Sequence, residues 1–399
     1  MKKILLLLLI ILPINVFAIE LPNLNSNNAI VYDLTDNELL EQKGDNERTS
    51  IASLTKITTA IVAIENINNI DETFIVEDYM LNGIPWDASV AGFKVGDIIS
   101  YRDALYGTLL PSGADATNIL AYKVAGSVPK FVELMNKKAK FLEMNNTNYE
   151  NVTGLESAKH YSTPYDVLTI LKYALKDKTF KKIYTSKKYE TINGLKFYST
   201  SYSIGKKLEI DTSRILGSKT GYTNKAGTCI SAYFESNGHE FLLITLKAPS
   251  DLKKGYHVQD ALALINYIDE SYGEQILVEK NKETAKIKVN FSTTDEIIIK
   301  PNNNITKYLR NDYDKTKVSY EYDGLEEINY NHDSKKSLGR ITYYYNGEIF
   351  HNEYIYLDEV LKADYKEIFN TYKVQIIVIV LSTIFLITIV IYLLKKSLK

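Results

Sequence analysis

Cysteine, tryptophan, histidine and net charge are all scarce in this sequence of 399 residues. Cys229 is the single cysteine, so no disulfide can form within the chain. The five histidines are scattered without the spacing of a metal-ligand set, and we expect no metal and no cofactor. The formal net charge is −2, and no long basic run lies between the two ends of the chain. This charge pattern argues against nucleic acid as a partner.

The N-terminus has the three parts of a secretory signal peptide. Lys2 and Lys3 are basic, residues 4–12 form an apolar core, and Val16-Phe17-Ala18 ends in a small residue suited to cleavage. We therefore expect residues 1–18 to direct export. An uncleaved membrane anchor is the alternative, although this apolar run is short for a span.

The C-terminal end predicts a membrane span. Residues 374–394 are almost wholly apolar, and about 20 such residues are enough to cross a bilayer. Lys395, Lys396 and Lys399 follow, which by the positive-inside rule places the tail 395–399 in the cytoplasm. A buried core helix is the alternative, but such helices are rarely so uniformly apolar. The body of the chain is then expected outside the cytoplasmic membrane.

The first motif that carries chemistry is Ser53-Leu54-Thr55-Lys56. The apolar residues behind it recur at helical spacing and predict a helix over 55–66. Ser53 and Lys56 then share one face, with Ser53 near the helix N-terminus, where a developing negative charge is favoured. A neutral Lys56 can accept the serine proton, and burial and a nearby cation, Lys219 being the candidate, would lower its pKa. Alone, the pattern is more often a helix cap followed by a surface lysine.

The second motif is Ser112-Gly113-Ala114, which stands before another stretch of helical periodicity. This order predicts a tight loop that leads into a helix. The hydroxyl of Ser112 can relay a proton between Lys56 and a leaving amine. The alternative is that Ser112 or Asp115 only caps the helix, and the capping role and the relay role are compatible with each other.

The third motif is Lys219-Thr220-Gly221, which is expected on an edge strand beside a hairpin. Residues 228–235 and 241–246 are rich in β-branched and aromatic residues and are joined through Asn237-Gly238, a strong hairpin signal. An edge strand lets a peptide substrate add itself by main-chain hydrogen bonds, and Gly221 leaves room for the ligand backbone. Lys219 and Thr220 offer a charge and a hydroxyl to a carboxylate. A surface loop with a solvated lysine is the alternative.

All three motifs in this order and at these separations are a strong signal for penicillin-reactive serine acyl transfer. The chain resembles the low-molecular-mass penicillin-binding proteins, the D-alanyl-D-alanine carboxypeptidases of serine peptidase family S11. The resemblance covers most of the mature chain and includes residues 28–32, 151–155 and 161–163.

The resemblance implies a role for each motif. Ser53 would be the acylated nucleophile, Lys56 its base and Ser112 the proton relay. Lys219 and Thr220 would hold the terminal carboxylate of the substrate. The backbone N–H groups of Ser53 and Tyr222 would form the oxyanion hole, each donor being worth a factor of about 100–1000 in rate.

Two departures from the family pattern affect substrate binding. The family's middle motif ends in Asn, where this chain has Ala114, and Asn118 lies a helical turn too far along to replace it directly. We therefore expect altered or weaker binding. Many members also place an arginine after the hairpin to grip the carboxylate, whereas residues 248–254 offer only Lys253 and Lys254.

The implied fold class is α/β (α+β), a penicillin-binding-protein and serine β-lactamase-like sheet covered by helices over residues 25–275. Short strand-like runs near residues 285–289, 296–299, 317–322, 340–345 and 349–356 then predict a small C-terminal all-β domain over 276–357, with a hairpin turn at Asn346-Gly347. A linker over 358–373 and a transmembrane helix over 374–394 complete the predicted organisation.

The function that follows is a membrane-anchored serine D-Ala-D-Ala carboxypeptidase that trims peptidoglycan stem pentapeptides and is acylated by β-lactam antibiotics. A secreted β-lactamase is the first alternative, but no Glu-x-x-Leu-Asn string lies between the second and third motifs. A non-catalytic cell-wall-binding relative is the second, and Ala114 is its support.

Overall fold

The computed structural model describes residues 20–397, so the predicted signal peptide over 1–18 lies outside the described residues. The chain divides into two compact units, one ending at Tyr272 and one beginning at Gly273. Each unit has its own hydrophobic core.

The first unit is built around a five-stranded antiparallel sheet in the order β2-β1-β9-β8-β7. The strands of the unit are β1 (Asn28–Asp33), β2 (Glu38–Lys43), β3 (Thr73–Ile75), β4 (Ile98–Ser100), β5 (Lys188–Glu190), β6 (Lys196–Tyr198), β7 (Gly217–Thr223), β8 (Gly227–Ser236) and β9 (His239–Ala248). β3 pairs with β4, and β5 with β6, as separate two-stranded ribbons. The strand that carries the third motif, β7, is therefore an edge strand of the main sheet.

The hairpin of β8 and β9 forms the centre of this sheet. Both strands are ten residues long and almost wholly buried, as expected for runs rich in β-branched and aromatic side chains. Asn237 and Gly238 join them with φ values of +49° and +86°, a pair of left-handed residues that suits a two-residue hairpin turn. The predicted hairpin and its turn are confirmed.

Helices cover this sheet and enclose the first core. In the described part of the unit they are α1 (Thr55–Asn66), α2 (Tyr101–Leu109), α3 (Ala114–Ala125), α4 (Val128–Phe141), α5 (Pro164–Ala174), α6 (Lys178–Tyr184), α7 (Thr200–Leu208) and α8 (Tyr256–Ser271). The central helix is α1, which is buried without interruption from Thr55 to Ala63 and contacts α2 to α6. Because α1 is surrounded on all sides, its fixed position gives the first motif a rigid base.

The second unit is made mainly of short strands. They are β10 (Tyr272–Val278), β11 (Ala285–Asn290), β12 (Glu296–Ile299), β13 (Ile305–Arg310), β14 (Val318–Gly324), β15 (Glu327–Asn329), β16 (Ser337–Tyr345) and β17 (Glu348–Tyr356). They form one two-stranded and two three-stranded sheets around a core that includes Ile287, Ile341 and Tyr343. The sequence analysis found the runs of β11, β12, β14, β16 and β17 but missed β10, β13 and β15.

One long helix, α9 (Tyr365–Ser397), ends the described chain. Its most apolar window has a mean hydropathy of 3.0, and none of that window is buried against the protein, which argues against the alternative of a core helix. The helix begins at Tyr365, inside the stretch 358–373 that the sequence analysis assigns to a linker. At 1.5 Å per residue its 33 residues reach about 50 Å, more than the roughly 30 Å of hydrocarbon in a bilayer.

Candidate active site

The first motif places a serine hydroxyl beside a buried amine. Ser53 lies in a single turn of 3-10 helix, Ala52–Leu54, that runs directly into α1, whose bounds match the predicted helix. The Nζ atom of Lys56 lies 3.0 Å from Ser53 Oγ and donates to the carbonyl of Thr153 at 2.7 Å. Ser53 is half-buried, whereas Lys56 is almost fully buried. The pair is thus within hydrogen-bond reach, as proton transfer requires.

Burial gives this amine an unusual proton affinity. Removal from water lowers the pKa of Lys56 from its ordinary value to about 7, although the carboxylate of Asp115 acts in the opposite direction. A large share of Lys56 is therefore neutral at pH 7 and able to accept a proton from Ser53. The predicted lowering agrees, but burial, rather than a neighbouring cation, is its first cause.

The second and third motifs meet through a contact between Lys219 and Ser112. Lys219 is fully buried, and its Nζ donates to Ser112 Oγ at 2.9 Å and to the Thr220 carbonyl at 2.6 Å. Burial, and then repulsion by Lys56, holds the pKa of Lys219 well below its usual range. Ser112 stands in the turn between α2 and α3 with a left-handed φ of +64°, a rare conformation for a serine. Such strain is common at functional sites.

Gly221 has a structural role that the sequence did not predict. A Cβ atom at this position would lie 2.9 Å from the backbone nitrogen of Ser53 and 3.0 Å from the Cβ of Ala52. The missing side chain therefore lets β7 pack closely against the turn that carries Ser53. The room that Gly221 leaves for the backbone of a ligand stays a prediction.

The motifs line one side of a cavity of about 560 Å³ that is open to solvent. Among the predicted site residues, those on its wall are Ser53, Lys56, Ser112, Thr220, Gly221 and Tyr222. Lys219 lies behind them and reaches the site through Ser112. A cavity of this size accommodates a peptide end or a small bicyclic molecule.

The Ala114 position is firmly built into the wall of the cavity. Ala114 is 2 % exposed, and its N–H donates to the carbonyl of Ser89 at 2.7 Å. The carboxylate of Asp115 accepts from the N–H groups of Ala91, Gly92 and Phe93 at 2.7, 2.8 and 3.1 Å. Asp115 therefore anchors a second loop of the cavity wall. The N-cap of α3 is Gly113, which has no side chain, so the prediction that Ser112 caps the helix is wrong. Asp115 lies in the first turn of α3, where its Oδ1 also accepts from the N–H of Ala116 at 2.9 Å.

Thr200 and His257 are two of the wall residues that the sequence did not predict. Thr200, at the start of α7, places its Oγ1 2.6 Å from Oγ1 of Thr220. His257, the second residue of α8, is 2 % exposed, and in the described part of the chain its Nδ1 has no hydrogen-bond partner. Burial lowers the pKa of His257 to about 4, so the ring is neutral near pH 7. Both residues stand far from the motifs in sequence, and no spacing rule points to them.

The two lysines that follow the hairpin lie away from the cavity. Lys253 and Lys254 are exposed and do not line the cavity, whereas their neighbour Leu252 does. Neither lysine is placed to serve as a carboxylate ligand there.

Among residues 20–397, one group of side chains away from the cavity has the composition of a metal site. Asp33, Asp36 and His239 bring their ligand atoms within 4.8 Å of one another. Asp33 already accepts from the N–H groups of Thr35 and Asp36 at 2.7 and 3.1 Å and contacts His239 Nδ1 at 2.7 Å. Its carboxylate is therefore engaged by protein partners.

Comparison with known proteins places the chain among peptidases. The sequence profile of peptidase family S11, described as D-alanyl-D-alanine carboxypeptidase, matches residues 15–250. The D-alanyl-D-alanine carboxypeptidase DacF of Bacillus subtilis is 26% identical over 341 residues, which cover 81% of this chain and 82% of DacF. The D-alanyl-D-alanine carboxypeptidase of Streptomyces strain K15 is 30% identical over 244 residues, 57% of this chain and 81% of the relative.

The fold is also that of a solved structure. Penicillin binding protein 5 from Haemophilus influenzae superposes with a TM-score of 0.61 at 21% identity, over 86% of this chain and 98% of that chain. The predicted mixed fold class, with its covered sheet, β-rich second part and long apolar helix, is thereby confirmed.

Proposed function

Because the chain belongs to peptidase family S11, a family of serine-type D-alanyl-D-alanine carboxypeptidases, we propose that it removes the terminal D-alanine of peptidoglycan stem pentapeptides through an acyl-enzyme on Ser53. The observation that carries the proposal is the contact of 3.0 Å between Ser53 Oγ and a buried Lys56 whose pKa is about 7. A serine needs such a base to act as a nucleophile at neutral pH.

The acylation step uses the three motifs in turn. The neutral amine of Lys56 takes the proton of Ser53 as Oγ attacks the carbonyl carbon of the penultimate residue. The N–H groups of Ser53 and Tyr222 hold the oxyanion that forms. When the C–N bond breaks, the proton passes from Lys56 through the hydroxyl of Ser112 to the departing amine of D-alanine. Water then attacks the ester and releases the shortened peptide and free Ser53.

The terminal carboxylate of the substrate is held at the far end of the cavity. Thr220 and Thr200 offer two hydroxyls that are 2.6 Å apart, and Lys219 lies directly behind Thr220. His257 faces the same cavity as a neutral ring and offers an N–H, whereas residues 248–254 hold no arginine. Hydroxyl, amine and imidazole donors together suit a carboxylate.

The same chemistry makes the enzyme a target of β-lactam antibiotics. Their strained amide presents a carbonyl to Ser53, and the ring-opened product stays attached as an ester. A fluorescent penicillin should therefore label the protein covalently, and Ser53→Ala should abolish the label. Mass spectrometry of a muropeptide pentapeptide incubated with the protein should show the loss of one alanine. An unlabelled, folded wild-type protein would refute the proposal, and rapid turnover of nitrocefin would favour the β-lactamase alternative.

The location of the enzyme follows from its two ends. We expect residues 1–18 to direct export, and α9 to anchor the chain with its lysine-rich end in the cytoplasm. The catalytic unit then lies outside the cytoplasmic membrane, where peptidoglycan is found.

A further inference from the structure

A buried histidine that takes no part in the proposed chemistry is linked through Thr55 to the residue that precedes the nucleophile. His160 is 3 % exposed, and its Nε2 lies 2.8 Å from the Oγ1 of Thr55. Thr55 is fully buried as the first residue of α1, and its hydroxyl donates to the carbonyl of Ala52 at 2.8 Å. Ala52 directly precedes Ser53, so this series of contacts ends at the residue next to the nucleophile.

The direction of each hydrogen bond from His160 through Thr55 to Ala52 follows from the partners of the histidine ring. The N–H of Glu150 donates to His160 Nδ1 at 3.2 Å, so Nδ1 is the unprotonated nitrogen of the ring. Nε2 therefore carries the hydrogen and donates to Thr55. Because the Thr55 oxygen receives that bond, its own hydrogen is free to point at Ala52. A neutral histidine in one tautomer thus fixes the orientation of a hydroxyl.

The carbonyl at the end of this chain belongs to a strained residue. Ala52 has a φ of +47°, a left-handed conformation that alanine seldom adopts and that the surrounding contacts must hold. Gly154 packs tightly against this carbonyl, because a Cβ at position 154 would lie 1.9 Å from the Ala52 oxygen. The same loop supplies the Thr153 carbonyl that accepts from Lys56 at 2.7 Å. One segment therefore touches both the base and the turn that carries the nucleophile.

We infer that His160 is a positioning residue, which acts through Thr55 and Ala52 to hold Ser53 Oγ at the amine of Lys56. His160 does not touch the cavity, and its effect passes entirely through the backbone of Ala52. The inference rests on the proposed function, since it assigns His160 a share in the rate of Ser53 acylation. A purely structural role would change stability and leave the rate of the folded enzyme unchanged.

The test compares near-isosteric variants of the full-length protein in detergent. Thr55→Val replaces the hydroxyl with a methyl group, His160→Phe keeps a planar ring without hydrogen bonds, and Thr55→Ser retains the hydroxyl as the matched control. The rate constant of acylation by a fluorescent penicillin is measured beside the initial affinity for penicillin and the midpoint of thermal unfolding. Misplacement of a nucleophile by a fraction of an ångström to 1 Å costs up to about 100-fold in rate.

We expect Thr55→Val and His160→Phe each to lower the acylation rate constant by about 10- to 100-fold with little change in initial affinity. The double variant should fall no further than the slower single variant, because both residues belong to one chain of contacts. Thr55→Ser should recover most of the wild-type rate.

Wild-type-like acylation by the folded Thr55→Val variant would overturn the inference, even if His160→Phe failed to fold. So would a double variant whose loss is the product of the two single losses. Failure of the wild-type protein to acylate would instead refute the proposed function, so the two outcomes are distinct.

Discussion

At the scale of single residues, the charge state of Lys56 sets the working pH. Its neutral form accepts the proton of Ser53, and its pKa is about 7 rather than the usual value near 10.5. The acylation rate constant should therefore rise about tenfold from pH 6 to pH 8 and level off above that. The rings of His160 and His257 have pKa values of about 4, so they stay neutral across this range. A stopped-flow pH profile with a fluorescent penicillin checks this, and a rate that falls with rising pH would contradict it.

Ala114 is the residue that most separates this site from its family pattern. An asparagine there would add an amide at the wall of the cavity, where Ala114 offers only a methyl group. One added hydrogen bond is worth about 1 kcal/mol, so Ala114→Asn should raise kcat/KM for a pentapeptide about fivefold to tenfold. Ala114→Leu has nearly the same size without the amide and should lower the rate. Equal effects of the two substitutions would show that volume, and not hydrogen bonding, governs this position.

The sequence predicted some of these residues and missed others for a clear physical reason. Ser53 and Lys56 are three residues apart, and helical geometry alone brings them to one face. The contact of Lys219 with Ser112 spans 107 residues, and a known motif order made it foreseeable. Thr55 and His160 are 105 residues apart, and no motif joins them. Such contacts depend on tertiary packing, which local patterns do not encode.

At the scale of elements, the regularity of the apolar pattern decided which predictions succeeded. The helix α1 has twelve residues with apolar positions at helical spacing, and its predicted bounds match the structure. Strand β15 has three residues and pairs in parallel with β11, so it shows no alternation that a sequence could reveal. Strand β13 reads Ile-Thr-Lys-Tyr-Leu-Arg, where charged side chains interrupt the apolar run.

The loop over residues 150–160 should prove essential to the turn that carries Ser53. Gly154→Ala would place a Cβ 1.9 Å from the Ala52 carbonyl at a φ of +85°. We expect it to lower acylation at least 100-fold or to prevent folding. Gly194→Ala is the matched control, because Gly194 has a φ of +87° but open space around its Cβ position. Both substitutions incur similar backbone strain of about 1 kcal/mol.

The difference between the two glycine variants isolates the contact with Ala52. Acylation rates and unfolding midpoints of both proteins supply the measurement. Equal losses in Gly154→Ala and Gly194→Ala would mean that backbone strain alone explains the effect. The tight approach to Ala52 would then have no special part in the site.

At the scale of the whole molecule, the cavity and the apolar helix α9 belong to different parts of the chain. Every residue that lines the cavity lies before Tyr272, and the first unit has a hydrophobic core made only of its own residues. The apolar residues of α9 are exposed along most of the helix, which no water-soluble helix would favour. A bilayer around α9 would cover this surface.

Removal of α9 should therefore separate attachment from activity. A chain that ends at Asp364 lacks the whole helix, and we expect it in the soluble fraction, whereas the full-length chain stays in membranes washed with high salt and alkali. Its rate of labelling by penicillin should remain within about twofold of the full-length value, because α9 supplies no residue to the cavity. A truncated chain that resists the same wash would instead identify the N-terminal apolar segment as an uncleaved anchor. A full-length chain released by salt alone would show that α9 lies on the surface of the bilayer, since a spanning helix of about 20 apolar residues is held by the hydrophobic effect and not by charge.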